Sequence, residues 1–535
     1  MLRIHDISVP ACEKDKERRL LLGKIKRIFG GRDLPFRIAR HSLDARKKKD
    51  IRSVYTVDTD FFSPEEEEIF LRKNGTLKAE IHEEKRYMPP VFRGEQAPRV
   101  LVAGAGPAGL FAALVLSRAG LKPLLIEQGA PVEERKRDVE EFWKTGILRP
   151  YSNVQFGEGG AGTFSDGKLA SGIRDKEGRI RFMLEEMIKA GADEKILYEA
   201  KPHIGTDVLA RVVRGLREQI QQAGGQILFH TKMTSLVIDR GRLSAVLTEN
   251  VLSGERASLP ADYLIPALGH SARESFRMLH AKGLEMAPKG FAVGVRIQHP
   301  QAQIDSAQYG EHASYLPPAD YRLSAKTPEG RGVYSFCMCP GGYVVNASSS
   351  PGQLCVNGMS ESRRDGENAN SALVVQVRPE DFEKDGLFGG VLLQEELEEK
   401  AFKAAGGSVP LQLWEDFVLN RASRALGEVK PAVKGAWQFA NLQDILPSFV
   451  SDSLKDAMPR FARSIQDFDR GDAILAGVES RTSSPLRMLR DERGESNIKG
   501  IYPCGEGAGY AGGITSAAVD GIKTAEDVIL RCQRS

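Results

Sequence analysis

Apolar residues over positions 97–290 occur as short continuous runs separated by stretches with helical spacing. This alternation predicts buried parallel strands joined by helices. The expected elements are strands at Val100–Ala103, Leu124–Ile126, Gln226–His230, Leu236–Asp239, Leu243–Leu247 and Asp262–Ala267 and a helix at Asp207–Gln222. We therefore expect an α/β domain with a Rossmann-like fold.

The first 96 residues have a different pattern, in which alternating strands and two amphipathic helices follow one another in the order β-α-β-β-α-β. The expected elements are strands at Leu2–Val9, Phe36–Leu43, Ile51–Asp58 and Leu77–His82 and helices at Glu13–Phe29 and from Ser63 onward. This order predicts a separate ferredoxin-like α+β domain. The segment Pro89–Pro98 is expected to serve as its linker.

Residues 291–475 change to strands punctuated by turns, followed by the helix-rich run Glu380–Arg470. The expected strands are Phe291–Gln298, Gly332–Met338, Tyr343–Ala347 and Gln353–Met359. A mainly antiparallel domain with helices is therefore expected between two parts of the nucleotide fold, residues 97–290 and 476–535. Such an inserted domain suits a substrate or interface role.

The first strand of the α/β domain leads into a glycine motif, in which Gly104, Gly106 and Gly109 have the spacing G-x-G-x-x-G. The glycines allow a tight turn, close approach of the backbone to a pyrophosphate and close helix packing, in that order. Glu127 ends the next strand, where it can accept hydrogen bonds from a ribose. With the neighbouring Pro107, Ala108 and Gln128, these residues predict a site for an adenosine diphosphate group.

A second glycine-rich segment, Asn153–Leu169, has neither helical nor strand periodicity. Its candidate ligand-binding residues are Gly157, Gly159, Gly160, Thr163, Ser165 and Asp166. Phe156, Phe164 and Leu169 are interspersed, which suggests a loop packed under a flat apolar ring. Gly269, after the strand Asp262–Ala267, is expected to let the backbone pass under the same ligand.

The C-terminal segment Ile501–Ile522 is the third glycine-rich motif. A strand at Ile501–Pro503 is expected to precede Gly505 and Glu506, and a helix is expected to start near Gly512, Gly513 and Ile514. Glu506 can bind a chain of hydroxyl groups, and the helix N-terminus stabilises negative charge beside it.

With these motifs in view, the chain resembles flavoproteins of the glutathione-reductase-like class and, more narrowly, the uncharacterised FAD-dependent or NAD(FAD)-utilising dehydrogenases. The segments that carry this resemblance are SLDARKKKDIRSVYTVD, NVQFGEGGAGTFSDGKL, ALGHSARE, FCMCPGGYVVNAS, NGMSESRRDGENANSALVV and YPCGEGAGYAGGITSAAVDG. The resemblance covers nearly the whole chain. It implies bound FAD and electron transfer between a small substrate and an acceptor through flavin N5. Glu506 departs from the wider pattern, in which Asp is common.

Five residues are candidates for the chemistry beside a flavin: Asp166, Lys168, His270, Cys337 and Cys339. Asp166 is a candidate acid or base. Lys168 is either an acid or an electrostatic anchor, and His270 is either a base or a hydrogen-bonded loop residue; we favour the second role for each. Cys337 and Cys339 are expected to point the same way from a strand. We favour two buried, inert thiols over a redox pair, and the same holds for Cys504.

Composition adds little to this picture. The 535 residues carry a net charge of +3, and the six cysteines form no C-x-x-C motif, which favours the reducing cytoplasm. The sequence contains no metal motif, signal peptide or membrane span.

A basic cluster in the first domain supports a second hypothesis, a flavin-containing factor that binds RNA or an acidic protein. Its residues are Lys24, Lys26, Arg27, Arg32, Arg46, Lys47, Lys48 and Lys49.

Overall fold

The computed structural model describes residues 1–533. Its N-terminal unit consists of β1 (Leu2–Pro10), α1 (Lys14–Ile28), β2 (Arg37–Asp44), β3 (Arg52–Thr59), α2 (Pro64–Lys73) and β4 (Ala79–Ile81). The four antiparallel strands lie in the order β4-β1-β3-β2. Both helices share one apolar cluster with this sheet. A bulge at Asp6, with φ +56°, keeps Ile4 and Ile7 on the same face despite their odd spacing.

The edge strand β2 attaches this unit to the rest of the molecule. The His41 amide donates to the carbonyl oxygen of Tyr198 at 2.7 Å, and the Ala200 amide donates to the carbonyl oxygen of His41 at 2.8 Å. The His41 ring is 3.0 Å from the Glu199 carboxylate. Strand pairing therefore covers the edge that the small sheet would otherwise expose.

The nucleotide-type fold is built on a parallel sheet in the order β11-β5-β6-β7. Its elements up to residue 288 are β5 (Val100–Ala103), α3 (Pro107–Arg118), β6 (Leu124–Ile126), α4 (Val132–Thr145), α5 (Arg179–Lys189), α6 (Thr206–Gln222), β7 (Gln226–Leu228), β8 (Thr231–Asp239), β9 (Arg242–Asn250), β10 (Arg256–Pro260), β11 (Tyr263–Pro266), α7 (Arg273–Ala281) and β12 (Met286–Pro288). Strands β8, β9 and β10 form a separate antiparallel sheet. All four residues of β5 and of β11 are buried, as expected for central parallel strands.

The following part of the chain forms a seven-stranded, mainly antiparallel sheet in the order β14-β15-β18-β13-β22-β19-β21. Its elements and the associated short sheet are β13 (Phe291–Pro300), α8 (Gln301–Tyr309), β14 (Ser324–Lys326), β15 (Gly332–Cys339), β16 (Gly342–Asn346), β17 (Val356–Ser360), β18 (Asn368–Val377), α9 (Gly389–Ala404), β19 (Val409–Leu413), α10 (Trp414–Val418), β20 (Val433–Lys434), β21 (Trp437–Phe439), α11 (Ser448–Ser464) and β22 (Ile474–Glu479). The chain then returns to the nucleotide-type fold with β23 (Leu486–Met488) and α12 (Ile514–Cys532). Helix α12 packs against α3, where Gly521 is required because a Cβ there would lie 2.1 Å from the carbonyl oxygen of Ala108.

Three details differ from the sequence prediction. The expected boundary at residue 475 falls inside β22, so the inserted sheet extends to Glu479. The expected helix-rich run Glu380–Arg470 also contains strands β19 and β21, whose pairing with the sheet overrides local helical spacing. Helices α4, α5 and α7 were absent from the predicted pattern.

The expected strand Ile501–Pro503 is only partly formed. Leu264 donates to Gly500 and accepts from Tyr502, each at 2.8 Å, so this segment extends along β11. Pro503 has no N–H to donate, which limits a longer ladder. No helix in residues 1–533 is both long and apolar enough to span a bilayer.

Candidate functional site

A cavity of about 350 Å³ lies where the carboxyl ends of β5 and β6 meet the inserted sheet. This is the position at which open α/β sheets commonly bind ligands. The predicted residues that line it are Gly104, Gly106, Pro107, Ala108, Glu127, Gln128, Gly157, Gly160, Ser165, Asp166, Lys168, Gly269, His270, Cys337, Glu506, Gly512, Gly513 and Ile514. Five predicted residues do not line the cavity: Gly109, Gly159, Thr163, Gly505 and Cys339.

The glycine motif between β5 and α3 forms one wall. Gly104 has φ +106°, and a Cβ on Gly109 would lie 1.8 Å from the carbonyl oxygen of Gly104, so both positions exclude a side chain. Gly106 differs, because a Cβ there would meet only Gly160 Cα at 3.9 Å. A Cβ on Gly160 would in turn lie 3.1 Å from Gly106 Cα, so the two glycines pack closely together at the N-terminus of α3, where backbone amides attract an anion.

Glu127 is 6% exposed, and its carboxylate binds three backbone amides. One oxygen, Oε1, accepts from Gly129 at 2.9 Å and from Gly157 at 3.1 Å, and Oε2 accepts from Ala105 at 2.8 Å. A carboxylate offers about four acceptor positions, so about one remains for a ligand hydroxyl. Glu127 thus orders both glycine segments as well as facing the cavity, a role that sequence reasoning did not include.

Arg135 on α4 holds the second glycine segment and was missed from the sequence. Its fully buried guanidinium donates to the backbone carbonyl oxygens of Asn153, Val154, Gly157, Glu158 and Gly160. Burial lowers its pKa to about 10, so it remains a cation at neutral pH. The sequence did contain a sign of its burial. Arg135 has the helical spacing of Val132, Val139 and Phe142, the apolar residues on the buried face of α4.

Two residues of this segment do not lie under a ligand ring as expected. Phe164 packs with Val139 and Val154 behind the wall, and Leu169 joins the core of the nucleotide-type fold. Phe156 does line the cavity. Gly159, with φ +86°, is confined by Thr163, whose Oγ1 would lie 2.1 Å from an added Cβ. Gly159 and Thr163 therefore shape the loop from behind.

Glu506 and the N-terminus of α12 form a further part of the cavity wall, next to α3, since a Cβ on Gly505 would lie 2.8 Å from Ala108 Cβ. Among residues 1–533, no side chain forms a hydrogen bond with the Glu506 carboxyl group, and burial raises its pKa to about 7 while Lys289 opposes the shift. Gly512 and Gly513 have open space where a Cβ would stand. Gly505 lies behind them, with its amide bound to Asp520 at 2.8 Å. The free carboxyl and the helix end offer partners for ligand hydroxyls and for developing negative charge.

Asp166 and Lys168 form an ionic cluster on the cavity wall. The buried Asp166 carboxylate accepts from Arg364 Nε at 2.9 Å and lies 3.3 Å from Lys168 Nζ. Burial opposes the charge on Lys168, but Asp166 raises the pKa of the ammonium above its usual value. The pairing agrees with an anchor role for Lys168, and it makes Asp166 a stably paired carboxylate. Arg364, from the inserted domain, was not among the predicted residues.

His270 lies beside a buried ion cluster. Its Nδ1 is 2.8 Å from Ser271 Oγ, as expected of a hydrogen-bonded loop residue. Burial lowers its pKa to about 3, with Arg481 and Arg273 adding to the shift, so the ring is neutral. Both arginines bind the Glu398 carboxylate, Arg273 at 2.7 and 2.9 Å and Arg481 at 2.7 and 2.8 Å. Arg481 itself lines the cavity.

Cys337 and Cys339 do not occupy a regular strand as predicted. The pairing of β15 with β18 shifts register between Phe336 and Cys339, and Cys337 has φ +45°. Cys339 is fully buried, whereas Cys337 is half-buried and lines the cavity beside Phe336. The burial of Cys339 agrees with the expected inert core thiol. Cys337 does not agree with it, because its side chain lines the cavity. Cys504 is fully buried, and burial raises its pKa, as expected of an inert thiol.

The donor set fits a flavin dinucleotide. The glycine turn at the N-terminus of α3 suits a pyrophosphate, Glu127 has a free acceptor position for a ribose, and the unpaired carboxyl of Glu506 can accept from ribityl hydroxyls. Further lining residues were not singled out from the sequence: Gln155, Lys232, Phe336, Asn357, Glu479, Arg481 and Thr482. No group of His, Cys, Asp and Glu in residues 1–533 is arranged to hold a metal ion.

Comparisons with known proteins agree with this fit. Residues 98–303 match the model of a family described as FAD binding domain, and residues 290–482 match one described as FAD-dependent protein, C-terminal domain-like. An uncharacterised protein from Clostridium beijerinckii is 46% identical over 506 residues, which cover 92% of each chain.

Two solved structures were also found at low identity. A flavin-dependent brominase is 13% identical, with 82% of this chain and 79% of that chain covered and a TM-score of 0.38. A geranylgeranyl bacteriochlorophyll reductase-like protein from Thermoplasma acidophilum is 14% identical, with 83% and 81% covered and a TM-score of 0.36.

The family matches refine the resemblance inferred from the motifs. The matched FAD-binding model is of a different flavoprotein class from the glutathione-reductase-like one, so the cofactor is supported and that narrower placement is not. The Clostridium relative extends the similarity over nearly the full chain. The chain therefore belongs to a family of FAD-dependent proteins and takes FAD as its cofactor.

Proposed function

We propose that this protein is an FAD-dependent oxidoreductase that passes electrons between a small-molecule substrate and a separate acceptor. The observation that carries the proposal is one cavity that joins the glycine walls of the nucleotide-type fold to residues of the inserted sheet. A flavin nucleotide and a substrate can therefore lie side by side in this cavity. The bound flavin supplies the two-electron chemistry at N5.

In this proposal different parts of the cavity wall hold different groups of the FAD molecule. Gly104, Gly106, Pro107 and Ala108, with Gly157 and Gly160, hold the pyrophosphate, and Glu127 and Gln128 hold the adenosine ribose. Glu506 binds the ribityl hydroxyls, while Gly512, Gly513 and Ile514 at the start of α12 stabilise charge on the pyrimidine edge. Gly269 lies under the cofactor backbone. Gly109, Gly159, Thr163 and Gly505 support these walls from behind.

The substrate side is assigned to the inserted sheet. Phe336 is 43% exposed and lines the cavity with Cys337 and Asn357, so an apolar face and two polar groups are available there. Lys168 carries a proton at neutral pH and is paired with Asp166. We assign Lys168 to orienting an anionic group. The neutral His270 ring is assigned to positioning through Ser271.

Four finer statements are also proposals. Residues 1–96 form a ferredoxin-like domain, supported by the strand order β4-β1-β3-β2. The FAD-binding domain comprises 97–290 and a C-terminal part, and the inserted domain lies between them. The reaction is of the dehydrogenase type, as in glutathione-reductase-like proteins, and the protein acts in the cytoplasm. The matched FAD-binding model favours a monooxygenase-type reaction instead, so experiment has to choose between them.

Anaerobic stopped-flow absorbance of the FAD-loaded protein makes that choice. NAD(P)H and panels of small thiols, alcohols and acids are tested as reductants, followed by oxygen, quinone and disulfide as oxidants. A dehydrogenase is reduced by its organic substrate and reoxidised by an acceptor without inserting oxygen. Reduction by NAD(P)H alone, with oxygen or halogen appearing in the product, contradicts the dehydrogenase proposal.

A second candidate function is binding of an anionic partner through the N-terminal unit. Lys47, Lys48 and Lys49 are exposed and form no ion pair within residues 1–533, whereas Arg46 is paired with Asp44. Unpaired lysines on one turn favour docking of RNA or an acidic protein. The test is charge reversal, described in the Discussion.

A further inference from the structure

Strand β15 departs from regular geometry where Cys337 reaches the cavity. Cys337 has φ +45°, a region that residues other than glycine adopt rarely and often at functional sites. The ladder with β18 loses register between Phe336 and Cys339. The Cys337 side chain lines the cavity, whereas Cys339 is fully buried and outside the lining.

Both cysteines lie close to one cation. The Cys339 thiol donates to the Cys337 carbonyl oxygen at 3.2 Å. Arg296 Nη1 donates to the same carbonyl oxygen at 3.1 Å and lies 3.8 Å from Cys339 Sγ. Buried side chains therefore hold the pair in a fixed arrangement.

The charges around the pair favour one thiolate and one thiol. Interaction with the Cys339 thiol, with the positive charges of Arg296 and Lys168, lowers the pKa of Cys337 below its usual value against the opposing effect of burial. The same interaction, with burial, raises the pKa of Cys339. The other charged groups nearby are Asp166, Arg364, Glu479 and Glu506. A thiolate beside a protonated thiol is the arrangement from which a disulfide forms.

We propose that Cys337 and Cys339 form a dithiol–disulfide pair that exchanges two electrons with the flavin, which makes small thiols or disulfides the substrate class. This rests on the proposed oxidoreductase function. On oxidation, the Cys337 thiolate and the Cys339 thiol form one S–S bond and release one proton. Two electrons and that proton pass to the oxidised flavin, giving its reduced anion. In the reverse direction the disulfide is cleaved, and the accessible Cys337 exchanges with the external substrate.

The first test is an anaerobic reductive titration of the FAD-loaded protein. The air-oxidised wild-type protein takes up four electrons per FAD, two by the flavin and two by the disulfide. Cys337→Ser and Cys339→Ser take up two, and the control Cys355→Ala takes up four because its buried thiol is outside the pair. Normal FAD content shows that each variant has folded. Uptake of two electrons by the wild-type protein overturns the proposal.

The second test does not depend on turnover. Met338 lies between the two cysteines, so cyanogen bromide cleavage at methionine separates residues 287–338 from 339–359. Protein without FAD is oxidised with oxidised glutathione, and its free thiols are alkylated before cleavage. We expect the two fragments to stay linked until reduced, in the wild-type protein and in Cys355→Ala, and to separate in Cys339→Ser.

Separate fragments in the oxidised wild-type protein contradict the pair. If FAD binds and is reduced normally while no link forms, the thiol proposal fails and the oxidoreductase proposal stands. If FAD binds but no reductant and no acceptor changes its spectrum, the oxidoreductase proposal fails, and the thiol pair fails with it.

Discussion

Arg135 donates a hydrogen bond to the carbonyl oxygen of Gly160 at 2.9 Å, and thereby joins helix α4 to the wall of the FAD cavity. The same guanidinium binds four other carbonyl oxygens of the glycine segment. Five buried acceptors thus share one cation. The conformation of a loop with several positive-φ glycines depends on this single side chain.

Replacing Arg135 with Met is expected to destabilise the protein and weaken FAD binding together. Leaving one buried polar group without its partner costs about 1–3 kcal/mol, so loss of this cation should lower the free energy of unfolding by at least about 3 kcal/mol. Chemical denaturation followed by circular dichroism measures the loss. The control is Arg137→Met, an exposed residue of the same helix, which should change stability by under about 0.5 kcal/mol. Equal stability of the two variants would contradict this role.

Glu506 should make the FAD-free protein less stable as pH rises toward neutrality. Its usual pKa is 4.5, and burial raises the folded-state value to about 7, so the folded state retains a proton that the unfolded state has released. Stability from this group is full below the unfolded pKa and is lost as pH rises through about 7.

The comparison variant is Glu506→Gln, which cannot ionise. Between about pH 5 and about pH 8, the wild-type protein should lose roughly 2–3 kcal/mol more unfolding free energy than this variant. Urea titrations across that range provide the measurement. If the unfolding free energies of the two proteins change in parallel with pH, the pKa of Glu506 is not raised in the folded state.

Glu398 should be essential for stability because it balances two buried arginines. Its carboxylate is fully buried between Arg273 and Arg481, and these cations lower its pKa despite the opposing effect of burial. Glu398→Gln leaves two buried positive charges uncompensated and should cost about 3–5 kcal/mol. The neighbouring Glu399 is exposed, so Glu399→Gln is the matched control. A drop in the thermal midpoint is expected for the first variant only.

Charge reversal of Lys47, Lys48 and Lys49 tests the binding function of the N-terminal unit. The triple change to Glu should abolish co-purification of RNA or acidic protein while FAD content and flavin reduction stay unchanged, because the turn lies outside the cavity lining. Binding of the wild-type protein should weaken with added salt. Co-purification that persists in the triple variant contradicts the docking hypothesis.

The parts of the site that could be predicted from sequence are those encoded by local geometry. Gly104 is required by its positive φ and Gly109 by its contact with the Gly104 carbonyl oxygen, both within one strand–turn–helix unit, so their spacing identifies the motif. Glu506 was found in the same way, from a strand end followed by glycines. The element order of the N-terminal unit was also correct, because each of its strands and helices has its own clear periodicity.

Residues that act through distant contacts could not be predicted in this way. Arg364 binds Asp166 across 198 residues, and Asn357 reaches the cavity from another sheet. The geometry of Cys337 depends on a bulge in β15, and regular alternation along the strand cannot reveal a bulge. Burial of Phe164 behind the loop depends likewise on Val139 of α4, a helix that the sequence pattern did not indicate.

The central claim is that FAD lies in the cavity with its pyrophosphate against Gly106 at the N-terminus of α3. Gly106 has φ −76°, and a Cβ added there would meet no atom closer than Gly160 Cα at 3.9 Å, an ordinary van der Waals contact. Gly106→Val should therefore fold and place its side chain where the pyrophosphate is expected. The control is Gly172→Val, at an exposed loop position that has open space where a Cβ would stand and lies outside the cavity lining.

The most direct measurement is a calorimetric titration of both FAD-free variants with FAD, with circular dichroism to verify folding. We predict wild-type affinity for Gly172→Val and a loss of at least about 100-fold, roughly 2.7 kcal/mol, for Gly106→Val. Unchanged FAD affinity in a folded Gly106→Val protein would contradict the account.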